Sequence, residues 1–258
     1  VSDDGDVGAS GHWFEPIADH LGLAYLRYSF TYGTAQECAF LIDALGLVPG
    51  ARVLDVGCGP GRHAYALAAA GMQVHGVDIS EAFVDLARAN APEGATFARA
   101  DARTMQFVGE FDAAISLCQG AFGLAGLPGV VSPIDPDGEI LARLVAAVRP
   151  GGTVGVSAFS AYFMLRHLED HDSFDAAAGV NHERTEIRDP DGRRTEVDLW
   201  TSCFTPRELR LLARSTGLID VHVWSVSPGD YQRNPPSTDT PEFLLVGRVP
   251  GDGTAQGR

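Results

Sequence analysis

The chain has no lysine; all 19 of its basic residues are arginine. That excludes a Schiff-base lysine and the lysine of a P-loop. Positive charge is scarce altogether: 34 acids against 19 bases leave −15, with a pI near 4.8. So acidic a chain repels phosphate backbones and anionic bilayers, and neither nucleic acid nor membrane is expected as a partner. Cysteine is sparse and scattered, at Cys38, Cys58, Cys118 and Cys203. Without a C-x-x-C pair, neither zinc nor a disulfide framework is suggested, and reduced thiols in a cytoplasmic protein fit best. No apolar run approaches the ~20 residues of a membrane span. The start, Val1-Ser2-Asp3-Asp4-Gly5-Asp6, is acidic and lacks the apolar core of a signal peptide. No internal repeat is visible.

What the chain does have is one informative turn. Arg52-Val53-Leu54-Asp55-Val56 reads as a short buried strand, Gly57-Cys58-Gly59-Pro60-Gly61 as a glycine turn, and Arg62 to Ala70 as a helix. Such a strand–loop–helix unit seats nucleotide-like ligands in α/β sheets. Strands and helices alternate around it. Thr34 to Leu45 is expected as a helix with a Thr34/Glu37 capping box. Strands follow over 73–78, 95–100, 111–117 and 153–159, with helices over 81–90, capped by Ser80, and 139–148 between them. This alternation predicts a parallel, doubly wound sheet.

The pattern breaks after Phe159. Residues 183–188 and 195–201 flank Asp189-Pro190-Asp191-Gly192, a strong hairpin turn, inside an insertion over 160–204. Thr205-Pro206 opens a helix that runs to Gly217. Strands over 219–226 and 242–249, joined by Ser227–Thr240, are expected to pair antiparallel. The fold class is therefore α/β: a Rossmann-like, mostly parallel, seven-stranded sheet with an antiparallel last strand, a helical cap and a hairpin-containing insertion. Residues 1–10 and 250–258 read as disordered, and 12–32 as an aromatic-rich cap. The organisation is thus 1–33, start and cap; 34–159, core; 160–204, insertion or lid; 205–249, end of the core sheet; and 250–258, tail.

Two acids give the glycine turn a chemical sense. Asp78 ends the second strand 21 residues beyond Gly57, where an acid grips ribose hydroxyls. Asp101 follows the third strand. The nicotinamide fingerprint needs glycine at position 62, where Arg62 stands. Asp55 would oppose a pyrophosphate and suits a ligand with positive charge.

Val53-Leu54-Asp55-Val56-Gly57-Cys58-Gly59-Pro60-Gly61 resembles the first motif of the class I S-adenosylmethionine-dependent methyltransferases. Gly76-Val77-Asp78-Ile79-Ser80 resembles their second motif, and Ala100-Asp101-Ala102 their adenine-binding turn. Residues 111–116 and 144–152 resemble the fourth strand and the helix and turn before the fifth. The resemblance implies that the loop Gly57, Cys58, Gly59, Gly61 packs on the methionine part of S-adenosylmethionine. It implies that Asp78 takes the ribose hydroxyls, Ile79 packs on adenine, and Asp101 and Ala102 meet the adenine edge. The carbonyl of Leu117 or Cys118 would receive the ammonium, with Asp55 acting through the loop or a water, and Tyr28 could touch the cofactor from the cap. The product would be S-adenosylhomocysteine.

The family fixes no general base, since the donor is already activated. The candidates are His63, Tyr28 and His12, with Tyr32 beside them. The acceptor is expected to be a small, enclosed, largely apolar molecule. Its walls would be the cap at 12–33 and the stretches 118–136, 160–204 and 227–240, in a monomer or homodimer. Three further features read as bland. Asn234-Pro235-Pro236-Ser237 lies far from the fourth strand and reads as a Pro-rich loop. His167 and His171 have i, i+4 spacing but lack a third ligand, so a solvated lid helix is expected and no metal. Arg184, Arg188, Arg193 and Arg194 interleave with acids, as on an exposed hairpin. The alternatives are a non-catalytic S-adenosylmethionine-binding homologue, another reaction on the same cofactor, and a nicotinamide-dependent oxidoreductase.

Overall fold

Consecutive residues of the opening strand face opposite sides, and both sides are dry. In β1 (Arg52–Val56), Leu54 and Val56 enter one core while Val53 enters the other, all fully buried. In β4 (Phe111–Ser116), Ala114 goes one way and Ala113 and Ile115 the other. A strand buried on both faces needs helices over both faces. A computed structural model describes residues 12–125 and 135–251. The acidic start, most of the glycine-rich loop after β4 and all but the first two residues of the tail lie outside the described residues, with the expectations made for them.

The helices divide as the alternation requires. α2 (Thr34–Ala44), α3 (Arg62–Ala69) and α4 (Glu81–Ala89) cover one face through Cys38, Leu41, Ala64, Leu67 and Val84. α5 (Pro136–Ala147) and α7 (Pro206–Ser215) cover the other through Ile140, Leu141, Leu144 and Leu209. With β2 (Gln73–Asp78), β3 (Ala95–Arg99) and β5 (Val148–Ser160), the parallel part runs β5-β4-β1-β2-β3. β11 (Glu242–Arg248) lies antiparallel between β5 and β9 (Ile219–Ser227), as expected of the last strand.

The sheet is larger than the seven strands expected. The connection 227–240 is not all loop: β10 (Asp230–Asn234) pairs antiparallel with β9. The hairpin is longer too, with β7 (Val180–Arg188) and β8 (Arg194–Phe204) preceded by the short β6 (Ser173–Asp175). The end of β8 pairs in parallel with β5, Phe159 opposite Cys203, which makes one sheet of 11 strands among the described residues. The turn is as expected, with Gly192 at φ 86° donating to the Asp189 carbonyl.

Two local expectations fail for identifiable reasons. The α2 capping box does not form: Gly33 is the N-cap and Thr34 Oγ1 donates to the Thr31 carbonyl. Glu37 is unavailable as a box partner because Arg62, His63 and the Gly229 N–H hold its carboxylate. His167 and His171 do not share a helix, because α6 (Ala161–Arg166) ends before them, with His167 stacked on Phe163. The caps at Ser80 and Thr205 form as expected, the latter with Glu208 as a full capping box.

The N-terminal cap consists of α1 (Glu15–Leu21) followed by two short 3-10 turns. Ile17, Ala18 and Leu21 pack with Phe83 of α4 and Ile187 of β7. This third apolar cluster bridges the start of α4 and the hairpin, so cap and insertion together roof the ends of the parallel strands. No helix among the described residues is long and apolar enough to cross a membrane.

Candidate binding cleft at the strand ends

The cleft begins where β1 gives way to the glycine turn. Gly57 has φ 74°, a region costly for residues with a side chain, and a Cβ there would lie 2.0 Å from the Gly120 carbonyl carbon. Gly57 therefore lets the first loop touch the chain leaving β4. The Gly59 N–H donates to Asp78 Oδ2 at 2.8 Å, and the Ser80 N–H donates to Asp78 Oδ1 at 2.9 Å. Asp78 thus ties the glycine turn to the start of α4. Burial pushes its carboxyl up to about 6, against the pull of those N–H donors.

The chain leaving β4 is strained. Cys118 and Gln119 both have left-handed backbones, φ 52° and 51°, without being glycine. The surroundings hold them there: the Cys118 N–H donates to Ser157 Oγ at 2.7 Å, and Arg62 Nη2 reaches Cys118 Sγ at 2.7 Å. Arg62 also donates to Thr34 Oγ1 and to Glu37 Oε2, at 2.6 and 2.9 Å. Glu37 is fully buried and bonded by His63 Nε2 at 2.8 Å. Burial pushes Glu37 up, but the bonds from His63 and Arg62 outweigh it and leave its pKa lowered. Burial drives His63 down to about 4 despite Glu37, so the ring is neutral near pH 7.

Two cavities meet over this floor. A narrow slot, about 30 Å³, is walled by residues including Ile79, Ala100, Asp101, Ala102, His12 and Ile140. A chamber of about 520 Å³ is walled by Tyr25, Tyr28, Phe83 and Phe159, with Ile187 and Leu199 from the hairpin. They share Phe14, Gly57, Asp78, Gly120 and Leu124. Slot and chamber are two arms of one cleft, with Asp78 at the waist.

The expected site residues divide between the cleft and the layer behind it. Gly57, Asp78, Ile79, Asp101, Ala102 and His12 line the slot. Gly57, Gly59, Asp78, Cys118 and Tyr28 line the chamber. Asp55, Cys58, Gly61, His63 and Leu117 are not among the lining residues. Asp55 is buried with Oδ2 unpartnered, and burial raises it to about 7. His63 points at Glu37 rather than into the cleft. Tyr32 is 75% exposed with its hydroxyl on the Arg27 carbonyl, and it does not line the cleft. In the slot, Arg103 grips Asp101 bidentately and lowers its pKa. Burial lowers His12, with Arg103 adding to the effect.

Phe14, Tyr25, Gln119 and Glu183 line the chamber from the cap, loop and insertion expected as its walls, whereas Glu242 in the lining, and Glu37 and Arg62 supporting the floor, lie outside those stretches. Glu242 had a readable signal, an acid opening the otherwise apolar run Phe243 to Val246. Glu37 had one too, falling on the apolar face of its helix beside Cys38 and Leu41. Glu37, His63 and Cys118 bring possible metal-ligating atoms within 4.8 Å of one another. The Arg62 guanidinium bonds two of the three, so a cation in that place would meet a fixed positive charge.

A family profile described as "Methyltransferase domain" matches residues 53–152. The demethylmenaquinone methyltransferase of Renibacterium salmoninarum is 30% identical over 120 residues, 46% of this chain and 46% of that protein. The ubiquinone biosynthesis O-methyltransferase of Aromatoleum aromaticum is 35% identical over 127 residues, 47% of this chain and 50% of that one. The chain spans about half the length of these curated relatives. The whole fold is similar to the CcbJ methyltransferase from Streptomyces caelestis, with TM-score 0.69 over 93% of this chain and 98% of that chain, at 21% identity.

Proposed function

We propose that the chain is a class I S-adenosylmethionine-dependent methyltransferase that transfers the cofactor's methyl group to a small molecule held in the chamber. The observation that carries this reading is the position of Asp78 at the waist of the cleft, its two oxygens fixed by Gly59 and Ser80. A nucleoside laid across a waist needs an acceptor for its ribose hydroxyls there. The fixed carboxylate still has lone pairs for them.

The residues suit the cofactor on both sides of the waist. Ile79, Ala100, Ala102 and Ile140 give the slot apolar walls for a purine, with Asp101 and Ala102 at its edge. On the chamber side, the N-terminus of α3 favours a carboxylate, while the N–H groups of the glycine turn itself are taken by Val77, Asp78 and Cys58. Leu117 and Cys118 stand at the strained exit of β4, where a carbonyl would receive an ammonium. Asp55 adds negative charge from behind the loop, and Tyr28 closes the chamber from the cap. S-adenosylmethionine supplies a methyl group already activated on a sulfonium. The chain's own work is then to align the acceptor and exclude water. Phe14, Phe83, Phe159, Ile187 and Leu199 exclude it, and cap and hairpin close over them. His12, walling the slot and bonded to the Leu124 backbone, is a positioning group in this reading, and His63 supports Glu37.

The relatives are named for demethylmenaquinone and for ubiquinone biosynthesis, and the largely apolar chamber suits a small, enclosed acceptor here. The four thiols carry no disulfide, which suits a reducing cytosol. Calorimetry with S-adenosylmethionine, S-adenosylhomocysteine and NAD tests the reading. Binding of both sulfur ligands and not of NAD is expected. NAD binding without either sulfur ligand overturns it.

A further inference from the structure

The chamber is lined by acids without bases. Asp78, Glu183, Glu186 and Glu242 line it, and no arginine or histidine does so among the described residues. Residues 126–134, which follow the chamber residues Gly120 and Leu124, contain no charged residue at all. Two of the four acids are already engaged. Asp78 binds Gly59 and Ser80, and Glu186 pairs with Arg194 at 3.2 Å and Arg188 at 3.8 Å.

Glu242 and Glu183 are not. Glu242 opens β11 at the chamber floor, only 3% exposed, and its Oε2 has no hydrogen-bond partner among the described residues. The nearest guanidinium, Arg62, is committed to Glu37, Thr34 and Cys118. One cation therefore faces two buried carboxyls, and Glu37 has it. Glu183, on β7 in the chamber wall, forms no ion pair among the described residues and has the Thr185 side chain as its hydrogen-bond partner there. Gln119, 9% exposed on the same wall, leaves Nε2 unpartnered.

Buried polar groups are ordinarily paired, and an unpaired buried carboxyl is costly. A carboxylate or phosphate acceptor would be repelled by these acids. A neutral hydroxyl would supply Glu242 with one donor and no charge. An ammonium supplies up to three donors and the missing positive charge. Building on the methyltransferase reading, we propose that the acceptor is an amine, taken up as its ammonium ion, with Glu242 on the floor and Glu183 on the hairpin wall receiving its charge.

The chemistry balances. An N–H bond of the ammonium breaks, its electron pair stays on nitrogen, and the proton passes to Glu242 and on to water. The amine nitrogen then forms the N–C bond as the C–S bond breaks. That electron pair stays on sulfur, so the positive charge ends on nitrogen.

The test is binding to the full chain saturated with S-adenosylhomocysteine, whose neutral thioether removes the sulfonium charge and leaves the cofactor's amino-acid end as it is. Three probes of one shape are titrated by calorimetry: cyclohexylmethylamine, cyclohexylmethanol and cyclohexanecarboxylate. The amine should bind about tenfold tighter than the alcohol, with no saturable binding of the carboxylate. Glu242→Gln should reduce the amine's advantage to about threefold or less. Should that variant not fold, Glu183→Gln should reduce it in the same direction. Equal or tighter binding of the alcohol, saturable binding of the carboxylate, or no saturation by the amine overturns the proposal. Failure of S-adenosylhomocysteine itself to bind would instead strike the methyltransferase reading.

Discussion

The Gly59 backbone N–H donates to Asp78 Oδ2 at 2.8 Å, so the glycine turn after β1 and the acid ending β2 form one rigid piece. The other oxygen of Asp78 holds Ser80, the N-cap of α4. Removing this carboxylate disturbs ligand site and scaffold together. Asp78→Ala is expected to weaken S-adenosylhomocysteine binding by about 1–3 kcal/mol, the worth of charge-assisted bonds to ribose hydroxyls. It should also lower stability by about 1–2 kcal/mol, since two N–H groups lose their acceptor. Calorimetry well below the melting temperature separates the two effects, and unchanged affinity would refute the ribose role.

Gly57→Ala tests the contact between the two loops. The new Cβ would fall 2.0 Å from the Gly120 carbonyl carbon, on a backbone at φ 74°. The neighbour is main chain, so a side-chain rotation cannot relieve the clash. A loss of about 2–4 kcal/mol is expected in urea unfolding, from strained backbone plus overpacking. Cofactor affinity should fall with it. Gly192→Ala, whose Cβ meets nothing within 4 Å at a similar φ of 86°, isolates the backbone part and should cost only about 1–2 kcal/mol.

Arg62→Met leaves Glu37 buried with only His63 and the Gly229 N–H as partners. Breaking a buried pair from one side costs about 3–5 kcal/mol, because a charge is stranded. The double change Arg62→Met with Glu37→Gln should cost clearly less than the sum of the single changes, a coupling of about 1–3 kcal/mol in a denaturation cycle. Additive losses would show that the pair is not coupled and that packing alone holds this floor.

How much of this could be read from the chain depends on how local each feature is. The parallel core was legible because each strand's short apolar run and each helix's start signal lie within a few residues, as at Ser80 and Thr205. The cofactor side was legible because the glycine turn, Asp78 and Asp101 stand at strand ends whose order the topology dictates. The acceptor side was not. Glu242, Glu183 and Tyr25 meet only because β11, β7 and the cap converge, across more than 200 residues of chain. Glu37 fits the local rule for a capping box, but Arg62 and His63 on the neighbouring helix claim it. β10 was missed because Asp230-Tyr231-Gln232-Arg233-Asn234 has one apolar residue to bury, Tyr231, and is a strand through pairing with β9.

Glu242 carries a pH signature that can be measured without any ligand. Burial raises it to about 8 from the ordinary 4.5, with Glu37 adding repulsion that Arg62 only partly offsets. Below about pH 4.5 folded and unfolded chains both hold this proton, and the group costs nothing. As the pH rises towards 8 the unfolded chain has released it while the folded chain keeps it, so stability falls. Above 8 both are ionised and the full penalty stands. Glu242→Gln has no proton to lose, so its stability relative to the parent should climb between pH 5 and 8. The climb should be on the order of 3 kcal/mol, or about 6–12 °C in Tm. Asp55, Asp78 and Asp137, raised by burial to about 7, 6 and 6, bend both curves alike and cancel in the difference. A difference flat with pH would show that Glu242 ionises as freely as in water. Saturating cyclohexylmethylamine at pH 8 should stabilise the parent more than the variant, because only the parent has the Glu242 carboxylate for the ammonium to neutralise.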